Sequence, residues 1–103
     1  MNFYKVRVIN HVGNKEIIFF TADNEVKHVF TTSLTSEELG DKHVIDYHES
    51  EDRVVSRLKS RDDTQIEELC LDEVLIEALK ATRTSLGIAI FKKIKTYYEE
   101  GRI

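Results

Sequence analysis

The first part of the chain alternates apolar and polar side chains with the period of a β-strand. In residues 3–10 Tyr4, Val6 and Val8 fall on one face, and Lys5 and Arg7 fall on the other. Residues 15–21 contain the run Ile-Ile-Phe-Phe, apolar on both faces, which predicts a more central strand. Gly and Asn in residues 11–14 favour a turn between them. The pattern therefore predicts an N-terminal β-hairpin.

Residues 21–34 fit both a helix and a strand. A helical wheel gathers five apolar side chains on one face: Ala22, Val26, Val29, Phe30 and Leu34. The β-branched and aromatic run in residues 29–32 favours a strand instead. The periodicity leads us to expect a helix, and a third strand beside the hairpin is the alternative.

The middle of the chain predicts short elements. Residues 35–40 fit a single helical turn ended by Gly40. Residues 42–48 have the composition of a further strand. Ser50 suits an N-cap, and two acids follow it, which predicts a short helix over residues 51–60.

The segment 64–101 carries more than half of the expected core. Thr64 and Glu67 have the spacing of a capping box and predict a helix start. From Cys70 onward the apolar positions share one broad helical face, so we expect this cysteine to be a small buried residue. Residues 86–100 form the most regular amphipathic pattern, and Gly101 suits its C-cap.

These elements predict one α+β domain over residues 1–103. An N-terminal antiparallel hairpin or small sheet would pack against about three C-terminal helices. The longest apolar run is far shorter than a membrane span, and the N-terminus lacks the apolar core of a signal peptide, so we expect a cytoplasmic protein. With one cysteine the chain forms no internal disulfide.

The net charge of −4 is unevenly distributed. Residues 62–79 carry no basic residue and seven acidic ones: Asp62, Asp63, Glu67, Glu68, Asp72, Glu73 and Glu77. This stretch predicts an acidic helical surface for a basic protein partner, in the limit a mimic of nucleic-acid phosphates. A run of like charge is also typical of an ordinary solvated face, and that interpretation stays open.

A basic ridge supports an alternative function. Arg53, Arg57 and Arg61 recur every four residues, a spacing that either meets acids of the chain or binds an anion. With the two C-terminal helices as a helix-turn-helix-like pair, the ridge would suit a DNA-binding regulator. Residues 86–90, however, put apolar side chains where base-reading polar groups belong.

The sequence contains no recognisable catalytic or metal motif. Residues 43–52 hold several candidate metal ligands, but His43 and His48 would point to opposite faces of a strand. No phosphate-binding glycine loop or nucleophile elbow is present. We expect no catalytic residues, no metal and no cofactor.

The sequence thus favours a non-enzymatic regulatory or inhibitor-like protein with a basic protein partner and no membrane. Its size and charge match, by analogy alone, small acidic regulators of phages and other mobile elements. Nucleic acid is the less favoured partner. Apolar residues outside the predicted core faces (Leu69, Ile76 and Ile88) also keep a homodimer open.

Overall fold

The computed structural model describes residues 1–9, 15–31, 45–80 and 85–103. Within these ranges the elements are, in chain order, β1 (Asn2–Val8), β2 (Lys15–Ala22), β3 (Glu25–Thr31), α1 (Glu51–Lys59), β4 (Thr64–Leu69), α2 (Leu71–Lys80) and α3 (Ser85–Glu99). The strands form one antiparallel sheet in the order β3-β2-β1-β4. The predicted α+β class is confirmed. The turn at 11–14 and the helical turn at 35–40 lie outside the described residues.

One face of the sheet is covered by α2 and α3. Phe3 and Phe20 meet there edge to face, with ring centroids 5.1 Å apart. The helices contribute five buried side chains to this cluster: Val74, Ala78, Ile90, Ile94 and Tyr97. The regular apolar pattern of the last helix is therefore a packing surface.

The opposite face of the sheet is covered by α1. Tyr4 and Phe19 stack on this side with centroids 4.9 Å apart. Val54 and Leu58 of α1 are fully buried against them. Burying a side chain such as Leu58 stabilises the fold by about 1.5–3 kcal/mol. The sheet is thus the middle layer of three.

The helix expected over residues 21–34 is wrong for the described part of that range. Asp23 and Asn24 have φ values of 56° and 63°, and β3 returns beside β2 as the alternative predicted. Two successive residues with positive φ make the tight turn that matches the twist of a hairpin. Val29 and Phe30, which share a face on a helical wheel, pack on opposite sides of the sheet.

The helix start expected at Thr64 is also wrong, because residues 64–69 form β4. The capping interaction lies six residues later, where the Cys70 N–H donates to Glu73 Oε1 at 3.3 Å. The Val74 N–H closes the first helical turn on the Cys70 carbonyl at 3.1 Å. Cys70 is therefore the N-cap of α2, and it is exposed, in contrast to the buried position expected.

Residues 45–48, expected at the end of a strand, form a bend and turn instead. His48 has a φ of 65°, and its N–H donates to the Val26 carbonyl at 2.9 Å. The Val26 N–H in turn donates to the Glu49 carbonyl at 2.9 Å. This segment therefore borders the outer edge of β3.

Helices α1 and α3 agree with the predicted ones. Ser50 occupies the N-cap of α1 with extended backbone, but its side chain makes no capping hydrogen bond. Gly101 has a φ of 72° and ends α3 as predicted. The Arg102 N–H then donates to the Tyr97 carbonyl at 2.9 Å.

The carboxylate of Glu51 joins α1 to β1. Tyr4 Oη donates to Glu51 Oε1 at 2.6 Å, and Asn2 Nδ2 donates to the same oxygen at 2.7 Å. Burial works to raise the pKa of Glu51, but these hydrogen bonds outweigh it and hold the pKa below its usual range. Burial, together with the Glu51 hydrogen bond and charge, raises the pKa of Tyr4. The pair is thus an ionised acid held by a neutral phenol.

We expect Tyr4→Phe to lower the free energy of unfolding by about 1–3 kcal/mol, because it removes one of the two donors to the part-buried carboxylate of Glu51 and leaves only Asn2. Urea titration at neutral pH measures this. Tyr47→Phe is the control, since Tyr47 is 58% exposed and donates only a long hydrogen bond of 3.4 Å. Equal midpoints for the two variants would show that the Glu51 contact contributes nothing.

Candidate functional site

The seven acidic residues predicted as one helical surface lie on three consecutive segments. Asp62 and Asp63 occupy the turn before β4, and Glu67 and Glu68 lie on β4 itself. The other three, Asp72, Glu73 and Glu77, lie on α2. The acidic stretch is therefore centred on an edge strand of the sheet, and the expectation of a purely helical surface is wrong.

Three of the seven carboxylates make hydrogen bonds or ion pairs with other groups of the same chain. Asp63 accepts two hydrogen bonds from Arg61 at 2.7 and 2.8 Å. Glu73 caps α2, and hydrogen bonds from the Cys70 side chain and then from its backbone N–H lower the pKa of Glu73. Glu77 lies 3.3 Å from the Lys5 ammonium, which also meets Glu16 at 3.5 Å. These acids are already occupied by contacts inside the chain.

The remaining four acids are exposed to solvent: Asp62, Glu67, Glu68 and Asp72. None of them forms an ion pair with any residue in the described ranges. They follow the line of β4 from the turn before it to the helix after it. We name these four residues, with the backbone of β4, the acidic edge.

The backbone of β4 contributes polar groups to the acidic edge. The Ile9 N–H donates to the Asp63 carbonyl at 2.6 Å, which fixes the alternation of the β1–β4 ladder. In an antiparallel pair every second residue points its N–H and C=O away from the partner. Those residues of β4 are Thr64, Ile66 and Glu68. Within the described ranges no other strand pairs with this side of β4.

Apolar side chains lie next in sequence to the acidic edge. Ile76 and Leu79 of α2 are 51% and 59% exposed, on the helical stripe that begins at Asp72. Exposed aliphatic side chains with polar ones beside them have the arrangement of an interface, in which an apolar centre is surrounded by a polar rim. Ile88 of α3 is also half exposed, whereas Leu69 faces the core from β4 and is buried.

The predicted basic ridge is largely engaged by acids of the same chain. Arg57 donates hydrogen bonds to both carboxylate oxygens of Glu49, and its Nη2 lies 2.8 Å from Oε2. Arg53 lies 3.9 Å from the same carboxylate, and Arg61 binds Asp63. The hydrogen bond from Arg57 lowers the pKa of Glu49. The arginines of the ridge therefore form ion pairs with acids in the segments before and after α1.

The other candidate ligands from the sequence do not come together into a site within the described residues. No group of three or more His, Cys, Asp or Glu residues with metal-binding geometry occurs in the described ranges, and His43 lies outside them. Neither α1, α2 nor α3 is long and apolar enough to cross a membrane. His28 packs against Tyr97 with ring centroids 5.6 Å apart, which places it between the sheet and α3.

We expect Glu49→Gln to destabilise the fold at neutral pH by about 1–3 kcal/mol, since it weakens a part-buried charged pair. Because the folded-state pKa of Glu49 is lowered, its contribution is present above the ordinary carboxyl pKa of about 4.3 and disappears at lower pH. The variant should therefore lose less stability than the wild type between pH 7 and pH 3. Urea midpoints at both pH values measure the difference.

The control for this experiment is Glu99→Gln, which alters an exposed pair with Lys95 at 4.0 Å. That change should move the midpoint by no more than about 0.5 kcal/mol. If Glu49→Gln moved the midpoint by no more than this, the Arg57–Glu49 pair would not contribute to the free energy of unfolding.

Comparison with known proteins adds no relative: no family model, no curated protein and no solved structure matches this chain.

Proposed function

We propose that this protein is a non-enzymatic regulator that captures a basic protein partner through the acidic edge. The observation that carries the proposal is the set of four exposed carboxylates without an ion pair in the described ranges. The chain neutralises its other acids of this stretch with Arg61, Lys5 and a helix cap. Charges left in solvent along one edge attract a partner of opposite sign and steer its approach.

The partner is a protein with a basic surface that also offers apolar contact area. Coulomb attraction between exposed charges is weak in water and salt, so charge alone gives little affinity. Ile76 and Leu79 supply apolar surface in the helix that continues from the acidic edge. A nucleic-acid-binding protein has a basic surface of this kind, and occupying that surface would inhibit it.

The DNA-binding alternative has less support. Arg57 and Arg61 would have to leave Glu49 and Asp63 to reach phosphates. Lys92 and Lys95 on α3 are exposed and remain the basic groups on which that alternative depends. It predicts binding to DNA at low salt that weakens steeply as salt rises, and weaker binding after Lys92→Glu. Fluorescence anisotropy with labelled duplex DNA decides the point.

We expect the variant Glu67→Lys/Glu68→Lys/Asp72→Lys to lose the partner while keeping the fold. Immobilised wild type is used to capture proteins from nuclease-treated lysate, and the partner identified by mass spectrometry is purified. Its affinity for the triple variant should fall at least about tenfold, or 1.4 kcal/mol. Glu73 is left unchanged because it caps α2.

The matched control is Asp52→Lys/Glu99→Lys/Glu100→Lys, which changes the net charge equally at exposed acids elsewhere. It should keep the affinity within about threefold at physiological salt, where exposed charges more than about 8 Å apart are screened. An equal loss in both variants would show that net charge matters and the acidic edge does not.

A further inference from the structure

The geometry points to strand addition: we propose that the partner binds β4 as an extended basic segment that becomes a fifth strand of the sheet. This inference rests on the proposed function, and it specifies how the acidic edge is used. Strand addition obtains its affinity from main-chain hydrogen bonds and its specificity from alternate side chains. Both sets of groups are present on β4.

The two edges of the sheet differ in how they are protected. The outer side of β3 is bordered at its start by residues 48–51: the backbone of Val26 bonds His48 and Glu49 at 2.9 Å, and Glu25 forms a bridge with Ser50. Residues of β4 show no comparable backbone bonds on their outer side within the described ranges. Among the described residues, no backbone group pairs with the outward N–H and C=O of Ile66 and Glu68, and these are the groups that a further strand would use.

The side chains of β4 specify the charge of that strand. Glu67 and Glu68 are adjacent and point to opposite faces of the sheet. An added strand that meets both needs two successive basic residues, one on each face. Opposite charges that face each other across a strand pair stabilise the pairing. The occupant is thus an extended segment with a Lys/Arg doublet.

A second copy of this chain is a poor occupant of the same edge. Registers of a β4–β4 pair that place the Glu67-Glu68 doublets opposite each other put like charges across the new ladder, which is destabilising, and the remaining registers still bring two acidic edges close together. The acidic side chains thus disfavour self-pairing, and they favour a basic partner by the same electrostatics.

A cleft lies over the β1–β4 pair on the face of the sheet that carries Glu67, where a side chain projected by the added strand could enter it. It has a volume of about 340 Å³ and is lined by Lys5, Arg7, Gln65, Ile66 and Glu67. Lys5 is only 12% exposed and is held between Glu16 and Glu77. Glu67 is exposed in this cleft and forms no ion pair with a described residue, so it is the carboxylate that a basic side chain entering there would meet.

The probe is a capped peptide of about six residues, a common strand length, that alternates Thr and Val around a central Lys-Arg doublet. At about ten times its Kd, the peptide should slow amide exchange of Ile66 and Glu68 about tenfold, because exchange then needs the free state. The amides of Gln65 and Glu67 already point to β1 and should change little. The same peptide with N-methylated alternate amides keeps its charge and should not bind.

Two variants separate strand addition from simple charge attraction. Glu68→Thr and Glu68→Pro remove the same carboxylate, but only proline removes the outward N–H. Proline is tolerated where the N–H of an edge strand faces solvent, so both variants should fold, as circular dichroism would check. Peptide affinity should be at least about tenfold lower for Glu68→Pro than for Glu68→Thr.

Absence of peptide binding at low salt would overturn strand addition, as would unchanged exchange at both Ile66 and Glu68 during binding. Equal binding of the N-methylated peptide would overturn it as well. The proposed function fails on a different result, namely undiminished partner affinity in the Glu67/Glu68/Asp72 charge reversal. If that reversal abolishes capture and the purified partner binds Glu68→Pro and Glu68→Thr equally, the acidic edge stands and strand addition falls.

Discussion

The fold depends on a sheet that is apolar on both of its faces. Ile18 and Phe20 of β2 point to one side, and Ile17 and Phe19 point to the other. Neither face can remain in water, since exposing such side chains costs about 25 cal/mol per Å². One helix layer therefore has to lie on each side, and the chain after β3 is arranged to supply both. The edges of the sheet are then the places where its backbone can meet a partner.

The groups within reach of each acid between Asp62 and Glu77 decide which acids serve the fold and which stay exposed to solvent. Asp63 and Glu77 face basic groups of the same chain, and Glu73 closes the first turn of α2. Glu67 and Glu68 lie on the edge strand, where a charged side chain is compatible with stability because at least part of it reaches water. The acidic residues of this stretch thus divide into those that pair within the fold and those that face solvent.

The sequence predicted the parts of the fold in which one period dominates. The hairpin strands and the last helix carry long regular patterns, and both were confirmed. The sequence prediction failed where a short segment fits both the helical and the strand period. The apolar positions of residues 25–31 fit a helical wheel, but Asp23 and Asn24, two residues that tolerate positive φ, form a turn that starts a strand instead. Thr64 matched a capping box, although β-branched Thr64 and Ile66 alternate as in a strand.

The composition of the acidic edge was predicted from charge alone, but its geometry was not. Pairing of β4 with β1 joins residues about sixty positions apart, and local periodicity contains no information on such contacts. The same limit applies to the arginines, because Glu49 lies before α1 and eight residues from Arg57, so the helical period of α1 does not predict their contact. Charge patterns predict which surfaces are polar, whereas pairing decides which charges are already satisfied.

Cys70 has a consequence for covalent chemistry on this protein. It is the chain's one thiol, it is exposed, and it stands between the last residue of β4 and the first of α2. A maleimide dye or a spin label attached there would sit at the end of the acidic edge. Such a label would report directly on an approaching partner, and a bulky one would obstruct it. Surface immobilisation through this thiol would therefore hide the region that the binding measurements need, and attachment at the C-terminus, beyond α3, avoids this.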